Sequence, residues 1–265
     1  LPSPGERNYA RTLTERTARW LEAAGVPCAV LDDEAVARGA AAGARVVVLC
    51  YNPRPPPAEL AALRGIVSRG GKLLVFMSED PALAALMGVR VGGLVPATRP
   101  GQWSGYRFLA GAPAGVPARI LQDARRIRPV YPADGAGRVV AQWEDAGGTL
   151  HREPAWVQTP HGLWSSYVLL EGDVPAKQRM LLAFIGQYVP WVWQRAAEHA
   201  MQNWGAVGYF SGTAQALARV AELADLRDDA AAQTLVARAR STGAGLPQDL
   251  AADGPQRVLD RAAAA

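Results

Sequence analysis

The feature that most limits the fold of this chain is a regular alternation of amphipathic stretches and apolar runs between residues 8 and 90. In the amphipathic stretches apolar side chains recur every three or four residues, the period of a helix, while the apolar runs are rich in β-branched residues. The predicted elements are, in order, a helix at 8–24, a strand at 28–31, a helix around 34–38, a strand at 45–51, a helix at 58–68 and a strand at 72–77. This alternation is typical of an α/β protein with a parallel sheet covered by helices on both faces.

The start of the sequence is unusual for such a fold. A doubly wound domain usually begins with a strand, whereas here a helix comes first and Gly25 ends it. The run at 45–51, RVVVLCY, has the pattern of a strand buried on both faces. In a 2-1-3 strand order the first strand would lie between the strands at 28–31 and 45–51. We therefore expect that a short strand belongs before Leu1.

The middle and the end of the chain have different patterns. Residues 139–143 alternate, EDAGG at 144–148 predicts a hairpin turn, and further extended stretches lie on either side of TPHG at 159–162. A helical period returns after residue 176, and the tail beyond residue 212 predicts two or three helices. The expected organisation is an α/β domain at 1–193, with an antiparallel meander at about 103–170, and a helical extension at 194–265.

Composition and motifs exclude several functions. Of the 265 residues 49% are hydrophobic and 20% charged, enough to bury a core, and the net charge of +4 is spread along the chain. The sequence has no cluster of Lys and Arg of the kind that predicts nucleic-acid binding. No apolar run approaches the roughly 20 residues of a membrane span. No glycine-rich phosphate loop of the GxGxxG or GxxxxGK[ST] type occurs, so no nucleotide cofactor is expected.

Cysteine and histidine predict neither disulfides nor metal binding. Cys28 and Cys50 each lie in a strand-like apolar run, the usual place for a buried free thiol. The histidines His151, His161 and His199 are far apart and form no HExxH motif. We therefore expect no metal site and no cofactor.

A polar triplet, Ser78-Glu79-Asp80, follows the predicted strand at 72–77, where α/β proteins often mount catalytic groups. Asp80 and Pro81 are good residues for the N-cap and first position of a helix. A nucleophile elbow needs small flanking residues, whereas Phe76 lies two residues before Ser78 and Asp80 two after it. A capped turn is therefore the preferred interpretation, and Ser78, Glu79 and the nearby Asn52 remain weak catalytic candidates.

Eight tryptophans raise the question of sugar binding, since flat rings stack on sugar faces. Trp143 and Trp164 share their strand faces with apolar residues, which predicts core positions. Trp103 lies in the polar loop GQWSGY, so we expect it to be exposed and name it the ligand-binding candidate. The acidic run Asp32-Asp33-Glu34 lies between a strand and a helix, where helix capping is the preferred interpretation over metal binding.

Four segments carry a family resemblance. They begin at residues 10, 46, 138 and 177 and read ARTLTERTARWLEAAGVPCAVLDDEAV, VVVLCYNPRPPPAELAALRGIVSRGGKLLVFMSEDPALAALMGV, RVVAQWEDAGGTLHREPAWVQTPHGLWSSYVLLEGD and KQRMLLAFIGQYVPWVW. In this order, over about residues 9–193, they resemble the class I glutamine amidotransferase-like domain that precedes glycoside hydrolase family 10-like modules in certain bacterial proteins. They resemble more distantly the trimerisation domain of β-galactosidases. The resemblance implies a flavodoxin-like three-layer fold and an exported, periplasmic or extracellular, protein.

The resemblance also implies that amidotransferase chemistry has been lost. Active members of the class carry a cysteine at the strand-to-helix elbow and a His-Glu pair later in the chain. The best matching elbow here is Met77-Ser78-Glu79, and His151 and His161 fall in the meander, so neither the nucleophile nor its histidine is expected to carry over. The implied function is a non-catalytic accessory domain of a carbohydrate-active protein.

Such an accessory domain would act by packing on a hydrolase-like module, by self-association or by contact with a glycan. Two other interpretations stay open. One is a hydrolase or amidotransferase-like enzyme with a remodelled site at the strand ends, near Asn52, Ser78 and Glu79. The other is a stand-alone carbohydrate-binding module, which predicts coplanar exposed tryptophans.

Overall fold

The structure is a computed structural model that describes residues 4–133, 135–203 and 213–264. Five helices precede residue 190: α1 (Pro4–Ala23), α2 (Asp33–Ala37), α3 (Pro57–Ser68), α4 (Pro81–Met87) and α5 (Val174–Gly186). The first strands are β1 (Val46–Leu49), β2 (Lys72–Phe76), β3 (Val89–Val91), β4 (Val95–Pro96), β5 (Trp103–Phe108) and β6 (Arg119–Ala124). They are followed by β7 (Arg126–Ile127), β8 (Val130–Pro132), β9 (Arg138–Glu144), β10 (Leu150–Thr159) and β11 (Gly162–Ser165).

Seven strands form one mixed sheet in the order β1-β2-β11-β10-β9-β5-β6. β2 pairs in parallel with β1 on one side and with β11 on the other, and the remaining pairs of this sheet are antiparallel. The meander expected from the sequence therefore continues the parallel strands as a single sheet, joined where Gly162 pairs with Leu73. The expected α/β class, with a parallel part and an added antiparallel meander, is confirmed.

Side chains that alternate along β1 and β2 face two different helical layers. Val47 and Leu49 of β1, with Val75 of β2, face a core cluster to which α2, α3 and α4 contribute. Val48 faces the opposite cluster, which contains Leu13 of α1. Because neighbouring residues of a strand point to opposite faces, the sheet is covered on both sides and the fold has three layers.

The antiparallel part of the sheet is held by edge-to-face aromatic packing. Phe76 of β2 meets Trp156 of β10, whose ring centroid lies 4.7 Å from that of Phe184 in α5. The cluster also contains Trp103, Tyr106, Phe108 and Trp143. Such pairs prefer the tilted geometry seen here and contribute about 0.5–1.5 kcal/mol each beyond the area they bury.

Three predictions for the N-terminal region are wrong: the strand at 28–31, the burial of Cys28 and the burial of the strand at 45–51 on both faces. Residues 28–31 form no strand, and Cys28 is exposed, whereas Cys50 is buried as expected and its burial raises the pKa of its thiol. β1 is also only half-buried over Val46 to Val48. Because residues 28–31 add no strand to the sheet, β1 lies at its edge, where it pairs with β2 alone and stays partly exposed.

The helix boundaries follow the local signals in the sequence. Asp32 and Asp80 are N-caps whose carboxylates accept the amide hydrogens of Ala35 and Leu83, each at 2.7 Å. Gly25 and Gly88 have φ of +80° and +67° just after α1 and α4, a conformation that glycine adopts without steric cost. The acidic run at 32–34 is therefore a capped helix start, as predicted.

The chain divides into two units, one made of Leu1–Glu22 with Pro27–Val189 and the other of Ala23–Val26 with Pro190–Ala265. The second unit contains α6 (Trp191–Asn203), α7 (Thr213–Leu226), α8 (Ala230–Asp253) and α9 (Pro255–Ala264). Ala197, Leu246 and Val258 form the centre of its apolar cluster. None of the described helices is long and apolar enough to cross a membrane.

Candidate functional site

The strand-to-helix turn after β2 has the backbone of a strained elbow. Phe76 ends the strand, and Met77 then has φ of +47°, in the left-handed region that side chains other than glycine rarely adopt. Asp80 caps α4, which begins at Pro81. The residue at the strained position is thus a methionine, whose thioether has no proton to lose and is not among the side chains that act as nucleophiles.

Ser78, the next residue, has its hydroxyl group engaged in the loop structure. The residue is 1% exposed, and its Oγ donates a hydrogen bond to the Pro53 carbonyl at 3.2 Å. The same oxygen accepts the amide hydrogen of Asp80 at 3.3 Å. The Glu79 amide also donates to the Pro53 carbonyl, at 3.1 Å. The Ser78 side chain therefore fastens the turn to the loop after β1.

Glu79 lies between two guanidinium groups. Its carboxylate oxygens are 2.8 Å from Arg54 Nη2 and 3.0 Å from Arg128 Nη2. Arg54 belongs to the loop after β1, and Arg128 lies between β7 and β8 and also donates to the Gly92 carbonyl. Because both oxygens are in ion pairs with side chains of other segments, Glu79 links these segments at the carboxyl ends of the parallel strands.

Asn52 is paired with a buried acid that is not among the candidates named from the sequence. Its Nδ2 donates to Glu59 Oε1 at 2.8 Å, and Glu59, in the first turn of α3, is 2% exposed. The second oxygen, Oε2, has no hydrogen-bond partner among the described residues. Burial, the main effect, raises the pKa of Glu59 to about 7. The sequence contained a signal for the burial of Glu59, because it precedes Leu63 by four residues and therefore lies on the apolar face of α3.

Two clefts lie at this end of the sheet. One, of about 210 Å³, lies over the elbow, and the other, of about 370 Å³, lies beside Tyr167. Arg126 lines both of them, together with tyrosines and other charged side chains. Among the residues that the structure describes, no group of three or more His, Cys, Asp or Glu could hold a metal ion. The arrangement offers charges and hydroxyl groups but no paired nucleophile and base.

His161 cannot act as a base for Ser78. Its carbonyl accepts the amide hydrogen of Leu73 at the amino end of β2. Ser78 follows Leu73 by five residues along an extended strand and turn, a separation of roughly 16 Å at about 3.3 Å per residue. The two residues therefore lie at opposite ends of β2.

His151 is also distant from Ser78. The His151 ring packs against Trp103, with 4.7 Å between centroids, and Glu153 is paired with Arg152. β10, which carries His151, is separated from β2 by β11. Two strand spacings amount to about 10 Å, well beyond hydrogen-bond reach.

The expectation that Trp103 is exposed is wrong. Its side chain is 1% exposed, because β5 carries it between β6 and β9 and its ring packs on that of Trp143 at 6.1 Å. A ring buried in this way cannot stack on a sugar. Among the described tryptophans Trp191 is the exposed one, at 57%, and Trp204 lies outside the described residues.

Comparisons with known proteins give distant similarities. No protein-family model and no curated protein matches the chain. Among solved structures, the chain is similar to a cold-adapted β-galactosidase from Rahnella sp. R3, with 15% identity and a TM-score of 0.48 over 65% of this chain and 26% of that one. It is also similar to α-L-fucosidase isoenzyme 2 from Paenibacillus thiaminolyticus, with 15% identity and a TM-score of 0.45 over 64% of this chain and 28% of that one.

A third similar structure is described as a GMP synthase subunit from Thermoplasma acidophilum. It has 13% identity and a TM-score of 0.43 over 67% of this chain and 89% of that one. The chain spans only about a quarter of the length of the β-galactosidase and of the fucosidase, 26% and 28%. Similarity at this level says nothing about what this chain does.

Proposed function

We propose that this chain is a non-catalytic accessory domain of a carbohydrate-active bacterial protein, acting through packing on a neighbouring module or on another copy. The observation that carries the proposal is the elbow after β2. Its strained position holds Met77, and the adjacent Ser78 hydroxyl is bonded to the loop after β1. A catalytic serine or cysteine needs a base within about 3.2 Å, and neither His151 nor His161 is in reach of this turn.

The carbohydrate context rests on the sequence resemblance alone. Four segments in the order of an amidotransferase-like domain, found before glycoside hydrolase modules, support it. The ion pairs of Glu79 support a role in packing, because they fix the loops at the strand ends and engage both oxygens of the carboxylate. The proposed role is packing in either case, whether the partner is a hydrolase-like module or a second copy of this chain.

A remodelled enzyme is the second candidate, and one observation favours it. Glu59 has a pKa of about 7, the range that suits a general acid or base at neutral pH. Against it, Glu59 is 2% exposed and contributes to neither cleft. A stand-alone carbohydrate-binding module is less well supported, since Trp191 is the sole exposed tryptophan among those described.

The test is an activity assay with matched variants. The chain is incubated with glutamine and with aryl glycosides, and we expect no turnover above a blank without protein. Any turnover found is then measured in Ser78→Ala and Glu59→Gln, with Ser68→Ala as the control, because the Ser68 hydroxyl is an exposed group that bonds only within α3. Turnover that Ser78→Ala or Glu59→Gln abolishes and Ser68→Ala retains would falsify the accessory-domain proposal.

A further inference from the structure

The two clefts at the carboxyl ends of the parallel strands adjoin at Arg126, which lines both of them. Arg126, in β7, is exposed, and so is Arg125, which lines the larger cleft. Among the residues that the structure describes, neither guanidinium group has an ion pair or a hydrogen bond. The guanidinium groups of Arg54 and Arg128, by contrast, are both paired with Glu79. Arg126 therefore has its donors available to a ligand at the place where the clefts meet.

The aromatic side chains around Arg126 are held in place by packing. Tyr51 and Tyr167 lie just after β1 and β11, line the smaller and the larger cleft respectively, and pack on the apolar cluster to which α1 contributes. The ring of Tyr51 also lies 5.3 Å from that of Tyr9 in α1. Burial raises the pKa of Tyr51, so its hydroxyl group keeps its proton at neutral pH and can donate a hydrogen bond. Because these groups are already fixed, a ligand would lose little affinity in ordering them.

Asp123 adds a carboxylate to the larger cleft. It lies at a bulge, where two residues of β6 face Ser104 of β5, and its φ of +47° belongs to the left-handed region. Bulges of this kind redirect a side chain, often beside a functional site. Asp123 is exposed and, like Arg125 and Arg126, has no ion pair within the described part of the chain. The larger cleft therefore presents a carboxylate and guanidinium groups that are each open to a ligand.

The charges around the clefts select a ligand with a single negative charge. Glu6 and Glu79 line the smaller cleft and Asp123 the larger, so a phosphate group, with about 1.5 to 2 negative charges, would meet three carboxylates. Phosphate sites also use the amides at a helix start, but Asp80 already caps α4 by accepting the amide hydrogen of Leu83. A carboxylate carries one charge, and its two oxygens match the planar fork of an arginine. The acidic groups of the clefts would in turn accept hydrogen bonds from hydroxyl groups of the ligand.

We propose that the clefts around Arg126 bind a small monocarboxylate that carries hydroxyl groups, the chemistry of a uronic acid or of an open-chain hydroxy acid. The ligand carboxylate pairs with the Arg126 guanidinium group, and the ligand hydroxyl groups bond to the Asp123 carboxylate and the Tyr51 hydroxyl group. The larger cleft, of about 370 Å³, is within the range of about 300–1,000 Å³ that is typical of small-molecule sites. The proposal goes beyond the proposed function, which needs packing and no ligand, so either can fail without the other.

The test is an NMR titration of the isotope-labelled full chain with sodium glucuronate, sodium lactate, sodium acetate, glucose and inorganic phosphate. With glucuronate we expect saturable shifts of the Arg126 Nε–H signal and of the Asp123 and Tyr51 amides, with a Kd on the order of 1 mM. Acetate, which lacks hydroxyl groups, and glucose, which lacks a carboxylate, should each bind at least about 10-fold more weakly. Tighter binding of glucuronate than of lactate identifies an acidic sugar, and equal or tighter binding of lactate identifies an open-chain hydroxy acid.

Arginine variants test the carboxylate contact. Arg126→Ala should weaken glucuronate binding at least about 10-fold, and Arg126→Lys, which keeps the charge but not the planar fork, by a smaller factor. Both should keep the parent amide spectrum outside the clefts, because the Arg126 side chain has no partner among the residues described. The matched control is Arg64→Ala, at an exposed position of α3 that lines neither cleft. It removes the same charge and should bind glucuronate like the parent chain.

Asp123→Gly separates the hydroxyl contacts from the carboxylate contact, since glycine adopts a φ of +47° without steric cost. In this variant the preference for glucuronate over acetate should fall at least about threefold. Glucose or phosphate that binds as tightly as glucuronate overturns the proposal, and so does a parent chain with no saturable shift for any carboxylate. Equal weakening in Arg126→Ala and Arg64→Ala would show that net charge alone attracts the anion, which also overturns it.

Discussion

Glu59 is buried in the core, and only one of its two carboxyl oxygens is hydrogen-bonded among the described residues. Asn52 donates to one oxygen, and the other has no partner among the described residues. Desolvation favours the neutral form, and its pKa rises from 4.5 to about 7. The folded protein therefore keeps this proton at a pH where the unfolded chain has already lost it.

This linkage predicts a loss of stability as the pH rises. Between pH 4.5 and about 7 the folded state binds more protons than the unfolded state, so the free energy of unfolding should fall over that range and then level off. In Glu59→Gln the side chain stays neutral, and we expect unfolding at pH 8 to cost on the order of 2–3 kcal/mol more than in the parent chain. At pH 4 the two should be nearly equal. Urea unfolding of the parent chain and of Glu59→Gln at pH 4, 6 and 8 measures the pH dependence and the difference between the two proteins.

The control for this prediction is Glu15→Gln, at an exposed position of α1. It should leave the pH dependence as it is in the parent chain. A Glu59→Gln protein whose stability still falls between pH 4.5 and 7 would show that other groups cause the dependence.

Single residues also show where sequence patterns mislead. The Gly and Ser residues around Trp103 predict exposure, but strand pairing on both sides of β5 buries it. The strain at Met77 has no sequence signal, since methionine shows no preference for the left-handed region. The lack of small flanking residues around Ser78, which is visible in the sequence, correctly argues against a nucleophile elbow.

At the scale of elements, a buried carboxylate joins three strands. Glu144 at the end of β9 is fully buried, and its two oxygens are each 2.6 Å from an arginine Nε, in Arg107 of β5 and Arg119 of β6. Removing one member of a fully buried pair costs roughly 3–5 kcal/mol, because the other charges lose their partner. The two arginine side chains are 46% and 43% exposed, so water reduces that cost here.

We therefore expect Glu144→Gln to lower the free energy of unfolding by about 2–3 kcal/mol at pH 7. The matched control is Glu153→Gln, since Glu153 pairs with Arg152, whose side chain is 93% exposed, and such pairs contribute less than about 1 kcal/mol. Urea unfolding of both variants is the measurement. Equal losses in the two variants would mean that the link between the three strands adds nothing to stability.

Elements with local signals could be predicted from the sequence, and elements that depend on distant partners could not. Asp32 and Asp80 fixed the starts of α2 and α4 because a cap bonds within its own turn. The run at 28–31 has strand-like residues but lacks a paired neighbour, so it stays an exposed connection. The parallel pairing of Gly162 with Leu73 likewise has no local signal, since the two residues lie far apart in the chain and many other strands come between them.

At the scale of the whole molecule, the apolar clusters separate along the chain. The clusters on the two faces of the sheet contain residues only from the first unit, and the cluster of Ala197, Leu246 and Val258 contains residues only from the second. A domain is expected to fold by itself when its core is its own. The change in sequence pattern at residue 193 predicts a domain boundary there, and that boundary stays a prediction.

A protein that ends at Val189 should therefore fold without α6 to α9. We expect one cooperative urea transition and the blue-shifted emission of buried tryptophans, because Trp103, Trp143, Trp156 and Trp164 all belong to the first unit. A protein that ends at Gly172 is the control. It lacks α5, and with it the Phe184 ring that packs on Trp156, so it should lose that transition. If the form ending at Val189 behaves like the form ending at Gly172, the core of the first unit depends on the second, and the two units are one folding domain.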